Sequence, residues 1–311
     1  LLDRMRFMLR VEVRPREDLV ALGALGAGRE RLRRAADAVG ALVGAWTDPW
    51  PGVVEGGTSY DVGLDSPHPG RAYAAGFVLV PATGVVEVVR AFAAGGSADE
   101  GSDGVRSDAA EHDALAGAMA WEALRIEAGR PRRAREVDER AIPHELDWLR
   151  TAVHLTKGCY PGQETVARTL NLGRPPRRLT LLQLDGLAGG LPAPGDAVRL
   201  GERTVGAVTS VARHHELGPI ALALLRRGVP AGAALSVDVS RAADGAAGAS
   251  AETADAAGGP GAAPGERVVV GRVAAAQEPL VTPEGRAQAS PAERPGAGLR
   301  TSLLHRRDDG R

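Results

Sequence analysis

The sequence predicts an α+β protein, with helices and a few strands followed by a small C-terminal antiparallel β-barrel. Its 311 residues, 44% of them hydrophobic, are enough for two ordinary domains with buried cores. Two observations predict this class. Apolar residues in the first half recur at three- and four-residue spacing, which is typical of amphipathic helices. The second half instead contains repeated short apolar runs between turn residues, which is typical of antiparallel strands.

The first half contains three predicted strands and four predicted helices. β-forming residues next to turn residues predict the strands, which are Phe7–Val13, Gly76–Pro81 and Val85–Val89. Helical periodicity, with capping and stop residues at the ends, predicts helices over 29–43, from Ser107 or Asp108 to Ala128, over Pro143–Leu155, and over Glu164–Leu172 before Gly173.

The second half contains six predicted strands, which we expect to close into the barrel. These runs are Leu179–Leu184, Ala197–Leu200, Thr204–Val211, Ile220–Leu225, Leu235–Val239 and Val268–Val273. The stretch 242–266 has too little apolar surface to offset the entropy of ordering, so it predicts a disordered insertion. We therefore predict a first domain over 1–176, the barrel over 177–275 and a flexible tail over 276–311.

Composition excludes several classes of function. Lys and Arg total 38 against 39 Asp and Glu, and this balance argues against a direct nucleic-acid binder or a polybasic membrane patch. No apolar run approaches the ~20 residues of a membrane span. The single cysteine, Cys159, excludes a disulfide framework and any metal cluster held by cysteines of this chain alone. These features predict a cytoplasmic protein.

The most unusual stretch surrounds Cys159, which Gly158 and Gly162 bracket on a tight loop. Lys157 and a following helix start would favour the thiolate form through their positive potential. One interpretation is a reactive or partner-facing thiol. The other is a small buried apolar residue, as most lone cysteines are, and composition leaves both open.

A second unusual feature is Glu127, at the end of the predicted helix that finishes near Ala128. A carboxylate there opposes the helix dipole, which is unfavourable for a purely structural acid. It could accept two parallel hydrogen bonds from an amino-pyrimidinone edge, as a pterin or a guanine presents. The alternative is a solvated glutamate paired with Arg125 or Arg130.

Three stretches together resemble the YgfZ family of folate-binding proteins, which are relatives of the aminomethyltransferase of the glycine cleavage system, the T protein. These stretches are Leu124–Gly129, Ile142–Leu146 and Lys157–Glu164. The segments Gly206–Ser210 and Gly218–Ala223 also look like the family's C-terminal barrel. The resemblance extends from about Phe7 to Gln277, in a form like that of actinomycete members.

The resemblance implies a T-protein-like α+β body around a folate channel, with the barrel closing one side. Glu127 matches the acidic residue that holds the pterin ring, and we expect Arg125, beside it in the same motif, to contact the cofactor as well. Cys159 matches the signature cysteine, which we expect to be a functional thiol. Its neighbours Lys157, Tyr160 and Gln163 match the signature as well; we expect Lys157 to act with the thiol, and Tyr160 and Gln163 to contact the cofactor.

The implied function is a tetrahydrofolate-binding accessory protein that supports the assembly or repair of iron–sulfur enzymes, including enzymes that modify tRNA. Its expected partners are folate and those client enzymes, with no metal bound by this chain alone. The alternatives are a tetrahydrofolate-dependent aminomethyltransferase-like one-carbon transferase, and a remnant with neither activity. Because the family has a further region ahead of Phe7, we expect the folate-binding body to be incomplete at its N-terminus.

Two further groups of residues carry weaker signals. His214 and His215 are adjacent, and side chains on successive strand positions point to opposite faces, so the pair is not expected to bind one metal. Arg174, Arg177 and Arg178 form a basic cluster. It is either a solvated turn or a site for the anionic folate tail.

Overall fold

The computed structural model describes residues 11–64, 66–95, 116–187, 190–242 and 267–293, which form a mixture of helices and strands. The chain divides into two units. In the described part, the first unit contains residues 11–48 and 74–95, and the second contains residues 49–73 and the rest from 116 onwards.

The first unit is a three-stranded antiparallel sheet with two helices. Its strands are β1 (Leu19–Leu25), β2 (Gly44–Thr47) and β3 (Ala75–Pro81), with β3 in the centre. The helices are α1 (Gly28–Ala38) and α2 (Val85–Gly95). Apolar side chains of α1, α2 and β3 share one core, which contains Leu32, Ala36, Ala41, Val78, Val80 and Val88.

Two predictions for this unit differ from the structure. The predicted strand Val85–Val89 is wrong, because these residues begin helix α2. Val85, Val88 and Phe92 pack on the core at helical spacing, whereas Val86 is exposed. Val11–Val13, the described part of the predicted first strand, forms no strand, and residues 7–10 lie outside the described residues. The strand at 76–81 and the helix from residue 29 are confirmed; the helix ends at Ala38, just before Gly40 with φ 68°.

The helical part of the second unit contains α3 (Ala118–Glu127), α4 (Arg133–Glu136) and α5 (Gln163–Leu172). The predicted helix ending near Ala128 is confirmed from Ala118 onwards, and residues 107–115 lie outside the described residues. Helix α5 confirms the predicted helix before Gly173, which takes a positive φ of 64°. No helix within the described ranges is long and apolar enough to cross a membrane.

The predicted helix Pro143–Leu155 is wrong. It is replaced by two short 3₁₀ turns, Pro143–Leu146 and Trp148–Arg150, separated by Asp147 in the left-handed conformation with φ 52°. The Asp147 carboxylate accepts hydrogen bonds from the Tyr60 backbone N–H at 2.8 Å and from Arg150 Nε at 2.8 Å. Because these bonds hold the carboxylate in place, tertiary contacts override the local helical pattern here.

The second half of the chain confirms the predicted barrel. Six antiparallel strands close in the order β4-β7-β6-β5-β8-β9, with the bounds β4 Arg177–Leu184, β5 Ala197–Leu200, β6 Arg203–His214, β7 Gly218–Arg226, β8 Leu235–Ala242 and β9 Arg267–Pro279. Strand β7 is buried on both faces. Ala221, Ala223 and Leu225 point into the barrel, whereas Ile220, Leu222 and Leu224 pack on the core that contains Ile126.

The residues after the barrel pack on the core that contains Ile126. The sequence had instead predicted a flexible tail from residue 276. Strand β9 continues to Pro279, and Leu280 and Val281 are fully buried. The Thr282 backbone N–H donates to the Tyr60 carbonyl at 2.8 Å. Two apolar side chains and a backbone bond therefore order a segment whose composition looks loose. Most of the predicted insertion, residues 243–266, lies outside the described residues.

Candidate functional site

Glu127 is the last residue of α3, and its side chain reaches solvent. Its side chain is 43% exposed, while Arg125 and Ile126 before it are buried. A partly exposed carboxylate at the end of a helix whose last turn is anchored by buried residues can meet a ligand without moving the helix. The contact of Glu127 with a pterin stays a prediction.

Arg125, in contrast, points into the protein. Its guanidinium donates to both carboxylate oxygens of Glu122, to the Arg130 carbonyl at 2.6 Å and to Ser210 Oγ at 2.7 Å, and it lies 3.4 Å from Glu136. The residue is only 1% exposed. Because protein groups occupy this guanidinium, Arg125 joins α3 to α4 and β6 and thereby positions Glu127.

The backbone after Glu127 is held from two sides. Trp50, which is fully buried, donates from Nε1 to the Ala128 carbonyl at 2.9 Å. Gly129 takes φ 62°, and a Cβ atom there would lie only 2.6 Å from Leu280 Cδ1. Glycine is thus required by both its backbone angle and its neighbour. These contacts fix the direction in which α3 ends.

His214, at the end of β6, lies beside Glu127. Its Nε2 is 3.2 Å from Glu127 Oε2, and its side chain is 1% exposed. Nδ1 accepts the backbone N–H groups of Glu216 and Leu217 at 3.2 and 3.1 Å, so the neutral ring carries its hydrogen on Nε2. That N–H has no aligned hydrogen-bond partner among the described residues. In the sequence, His214 stood out only as half of an adjacent histidine pair.

Strand alternation predicted that the side chains of the two adjacent histidines point to opposite faces. In the structure they do not point fully apart. His215 follows the last residue of β6, and its ring lies 4.3 Å from the His214 ring. It is exposed, whereas His214 is buried. Among the described residues, no group of three or more His, Cys, Asp or Glu side chains is arranged to hold a metal ion.

The loop of residues 157–162, which we call the signature loop, presents Cys159 to solvent as a free thiol. The alternative of a small buried apolar residue is therefore wrong for this cysteine. Gly162, with φ 87°, forms the N-cap of α5 directly after the loop. The Lys157 Nζ lies 4.8 Å from the centre of the Tyr160 ring, a cation–π distance. The loop thus exposes the thiol and directs the lysine towards the neighbouring aromatic ring.

A cavity of about 430 Å³ lies beside this loop. Lys157 and Tyr160 contribute to its wall, together with apolar residues that include Pro143, Val153 and Val166. Cys159 and Gln163 do not line it, and neither do Glu127 and Arg125. The predicted site residues thus fall into two groups within the second unit, the Glu127 group and the signature-loop group.

The basic cluster Arg174, Arg177 and Arg178 is largely committed to protein contacts. Arg177 donates to Asp138 and Glu145, whose carboxylates raise the pKa of its guanidinium. Arg178 is buried and donates to backbone carbonyls, including that of Val229 at 2.8 Å. Two of the three cations are thus neutralised or buried, which argues against the predicted site for an anionic tail here.

A buried polar set that sequence reasoning missed lies around Asp147. Arg150 donates to both Asp147 and Asp61, and His68 Nε2 lies 3.8 Å from Asp147 Oδ2. Burial lowers the pKa of His68 to about 4 and raises the pKa of Asp147 to about 7, although Arg150 is close. This set anchors the 49–73 segment that carries Trp50, since Arg150 also lies 5.7 Å from the Trp50 ring centre.

We expect the free energy of unfolding to fall as pH drops from about 6.5 to 4. Burial lowers the pKa of His144 from 6.5 to about 4, so in this window the unfolded chain binds the extra proton. This corresponds to at most about 3 kcal/mol. His68 acts in the same direction, but the raised pKa of Asp147 offsets it.

Urea unfolding at pH 4.5, 5.5 and 6.5 measures this dependence. His144→Gln keeps a donor near the position of Nε2, which lies 3.0 Å from the Val166 carbonyl, and removes the titrating group. The dependence of stability on pH should therefore be weaker in this variant. An unchanged slope would contradict the assignment to His144.

Comparison with known proteins gives limited matches. No family model matches the sequence. A segment of 94 residues is 37% identical to a chloroplastic protein of Arabidopsis thaliana named "Putative transferase", and it covers 30% of this chain and 21% of that protein. The glycine cleavage system aminomethyltransferase T from Bartonella henselae is similar in structure with a TM-score of 0.42 and 15% identity. That match covers 71% of this chain and 49% of the other, so both matches span less than two thirds of the relative.

Proposed function

We propose that the chain binds tetrahydrofolate through Glu127 and supports iron–sulfur enzymes as an accessory protein, as its resemblance to the YgfZ family implies. The observation that carries the folate part is the position of Glu127. Its carboxylate is partly exposed at the end of a helix, directly after the buried residues Arg125 and Ile126. A binding group on such a rigid base loses little freedom when a ligand binds.

The chemistry of the Glu127 carboxylate fits a pterin ring. Two carboxylate oxygens can accept two parallel N–H bonds, and an amino-pyrimidinone edge offers two adjacent N–H donors. The helix dipole opposes a negative charge at this end of α3, so the position is unfavourable for an acid that serves stability alone. Trp50 and Arg125 hold the surrounding backbone, which keeps the carboxylate in one place.

The exposed thiol of Cys159 supports the accessory role. A thiol on the surface is available to another molecule, and Gly158 and Gly162 give the loop a backbone with few steric limits. The alternative function is a tetrahydrofolate-dependent one-carbon transferase, which the name of the Arabidopsis relative favours. The Cys159 signature, which the resemblance assigns to the YgfZ family and not to the transferases, favours the accessory role.

Glu127→Gln tests the folate part of the proposal. The change keeps the shape of the side chain but replaces one acceptor with a donor that faces a pterin N–H. A hydrogen bond to a charged group contributes about 1.5–3 kcal/mol, so the affinity for tetrahydrofolate should fall roughly tenfold to a hundredfold. Calorimetric titration of both proteins measures the difference.

Glu216→Gln is the matched control, since Glu216 is a nearby acid whose side chain is 77% exposed. It removes the same charge from the same neighbourhood and should leave the affinity unchanged. Equal affinity of wild type and Glu127→Gln would overturn the proposed contact. Turnover of a one-carbon donor by the purified chain would favour the transferase alternative instead.

A further inference from the structure

The His214 ring has a buried N–H group for which the described residues offer no aligned acceptor. Buried polar groups in native proteins nearly always have hydrogen-bond partners, so an exception calls for an explanation. The Nε2 atom is buried and has no aligned partner among the described residues. The Glu127 carboxylate oxygen Oε2 lies 3.2 Å from it.

The turn that follows β6 selects the tautomer of the neutral ring. Two backbone N–H groups, those of Glu216 and Leu217, donate to Nδ1. Moving the hydrogen from Nε2 to Nδ1 would break both bonds, so the ring presents a donor on its Nε2 side. The buried donor and the partly exposed acceptor of Glu127 therefore lie next to each other.

We propose that His214 is a second ligand-binding residue of the Glu127 site, and that its Nε2–H donates to the carbonyl oxygen of an amino-pyrimidinone ring. The inference rests on the proposed function and specifies the chemistry that the site recognises. An amino-pyrimidinone edge carries two N–H donors followed by a carbonyl acceptor. Glu127 accepts from the two donors, and His214 donates to the carbonyl.

This arrangement explains features of His214 that a structural role leaves open. A histidine needed only to cap the turn would use Nδ1, and its Nε2–H could point to solvent. A histidine needed only to hold Glu127 would direct its N–H along the line to Oε2, and the contact lacks that alignment. A ligand carbonyl beside the carboxylate satisfies the donor.

Two substitutions at one position separate the two ring nitrogens. His214→Asn keeps an acceptor near Nδ1 for the turn but removes the donor at Nε2. His214→Gln places an amide donor near Nε2. We expect His214→Asn to weaken tetrahydrofolate binding about tenfold, the loss of one hydrogen bond to a buried donor, and His214→Gln to recover most of the affinity. His215→Gln, in the exposed neighbour, is the matched control and should bind as wild type does.

The ligand supplies the second arm of the experiment. In 4-amino-tetrahydrofolate an amino group replaces the carbonyl and N3 carries no hydrogen, so the ring presents a donor to His214 and one donor fewer to Glu127. The comparison between wild type and His214→Asn isolates the part that depends on His214. Wild type should prefer tetrahydrofolate, and His214→Asn should reduce this preference about tenfold. Guanosine carries the same edge on a different ring, so its titration distinguishes a pterin site from a guanine site. Weaker binding of guanosine than of tetrahydrofolate supports the pterin.

The outcomes separate this inference from the proposed function. If wild type binds no tetrahydrofolate, both are wrong. If Glu127→Gln weakens binding but His214→Asn binds as wild type does, with the same preference between the two ligands, only the role of His214 is wrong. Equal losses in His214→Asn and His214→Gln would also overturn it.

A measurement on the unmodified protein covers the case in which a variant fails to fold. The ¹H–¹⁵N signal of the His214 Nε2–H should shift when tetrahydrofolate is added, because a new acceptor joins the proton. A His214 signal that stays in place at saturating ligand would overturn the inference.

Discussion

Arg125→Met is expected to lower the free energy of unfolding by about 3–5 kcal/mol, because it leaves buried carboxylates without their cation. The Glu136 side chain is fully buried and lies 3.4 Å from the guanidinium, and Glu122 receives two of its hydrogen bonds. The change also removes the donors to the Arg130 carbonyl and to Ser210. Urea denaturation at neutral pH measures the loss.

Arg132→Met is the matched control for this effect. Arg132 contacts the same Glu122 at 3.1 Å, but its side chain is 37% exposed, so its removal should cost at most about 1 kcal/mol. The loss of stability in Arg125→Lys should lie between these two values, since one ammonium group cannot replace a planar guanidinium that contacts four groups. If Arg125→Met and Arg132→Met were equally mild, the network around Arg125 would not be the structural link that its contacts indicate.

The barrel was predictable because its signals are local. Each strand is a short apolar run with turn residues at both ends, and the six observed strands contain the six predicted runs. Their closure depends on pairs far apart in sequence, such as β4 with β9. Repetition of the strand pattern was enough to predict this class of closure, although not the order of the strands.

The parts that sequence reasoning missed depend on distant contacts. Asp147 interrupts a good helical pattern because its carboxylate binds the Tyr60 backbone, 87 residues away. Leu280 and Val281 are buried because the core of the second unit covers them, although the surrounding composition looks loose. The apolar run at Val85 fits a strand or a buried helix equally well, and packing decides between them.

The residues of the candidate site also divide into those that a local motif reveals and those that depend on distant contacts. The Cys159 loop and Glu127 were recognisable because each belongs to a contiguous motif. Trp50 and His214 were not recognised as part of the site, since their partners lie 78 and 87 residues away in the chain. One signal was available for His214. It ends a barrel strand before a turn, a position from which a side chain can reach a site at the barrel rim.

Cys159→Ala is expected to abolish the biological function while leaving the protein folded. The thiol is exposed, so its removal should change the free energy of unfolding by less than about 0.5 kcal/mol. Glu127 and His214 stay in place, so tetrahydrofolate should bind with unchanged affinity. If the thiol acts on a client, the variant should fail to restore iron–sulfur enzyme activity in cells that lack the native protein.

Three measurements on the same variant make this test decisive, namely melting temperature, tetrahydrofolate affinity and complementation. Glu127→Gln is the complementary control, because it should lose folate affinity and keep the thiol. Cys159→Ser shows whether a hydroxyl group of similar size can replace the thiol. If the thiolate acts as a nucleophile or as a metal ligand, serine should not restore function. Full complementation by Cys159→Ala would show that the thiol is dispensable. The accessory function would then depend on the folate site and the cavity beside Lys157 and Tyr160, and not on sulfur.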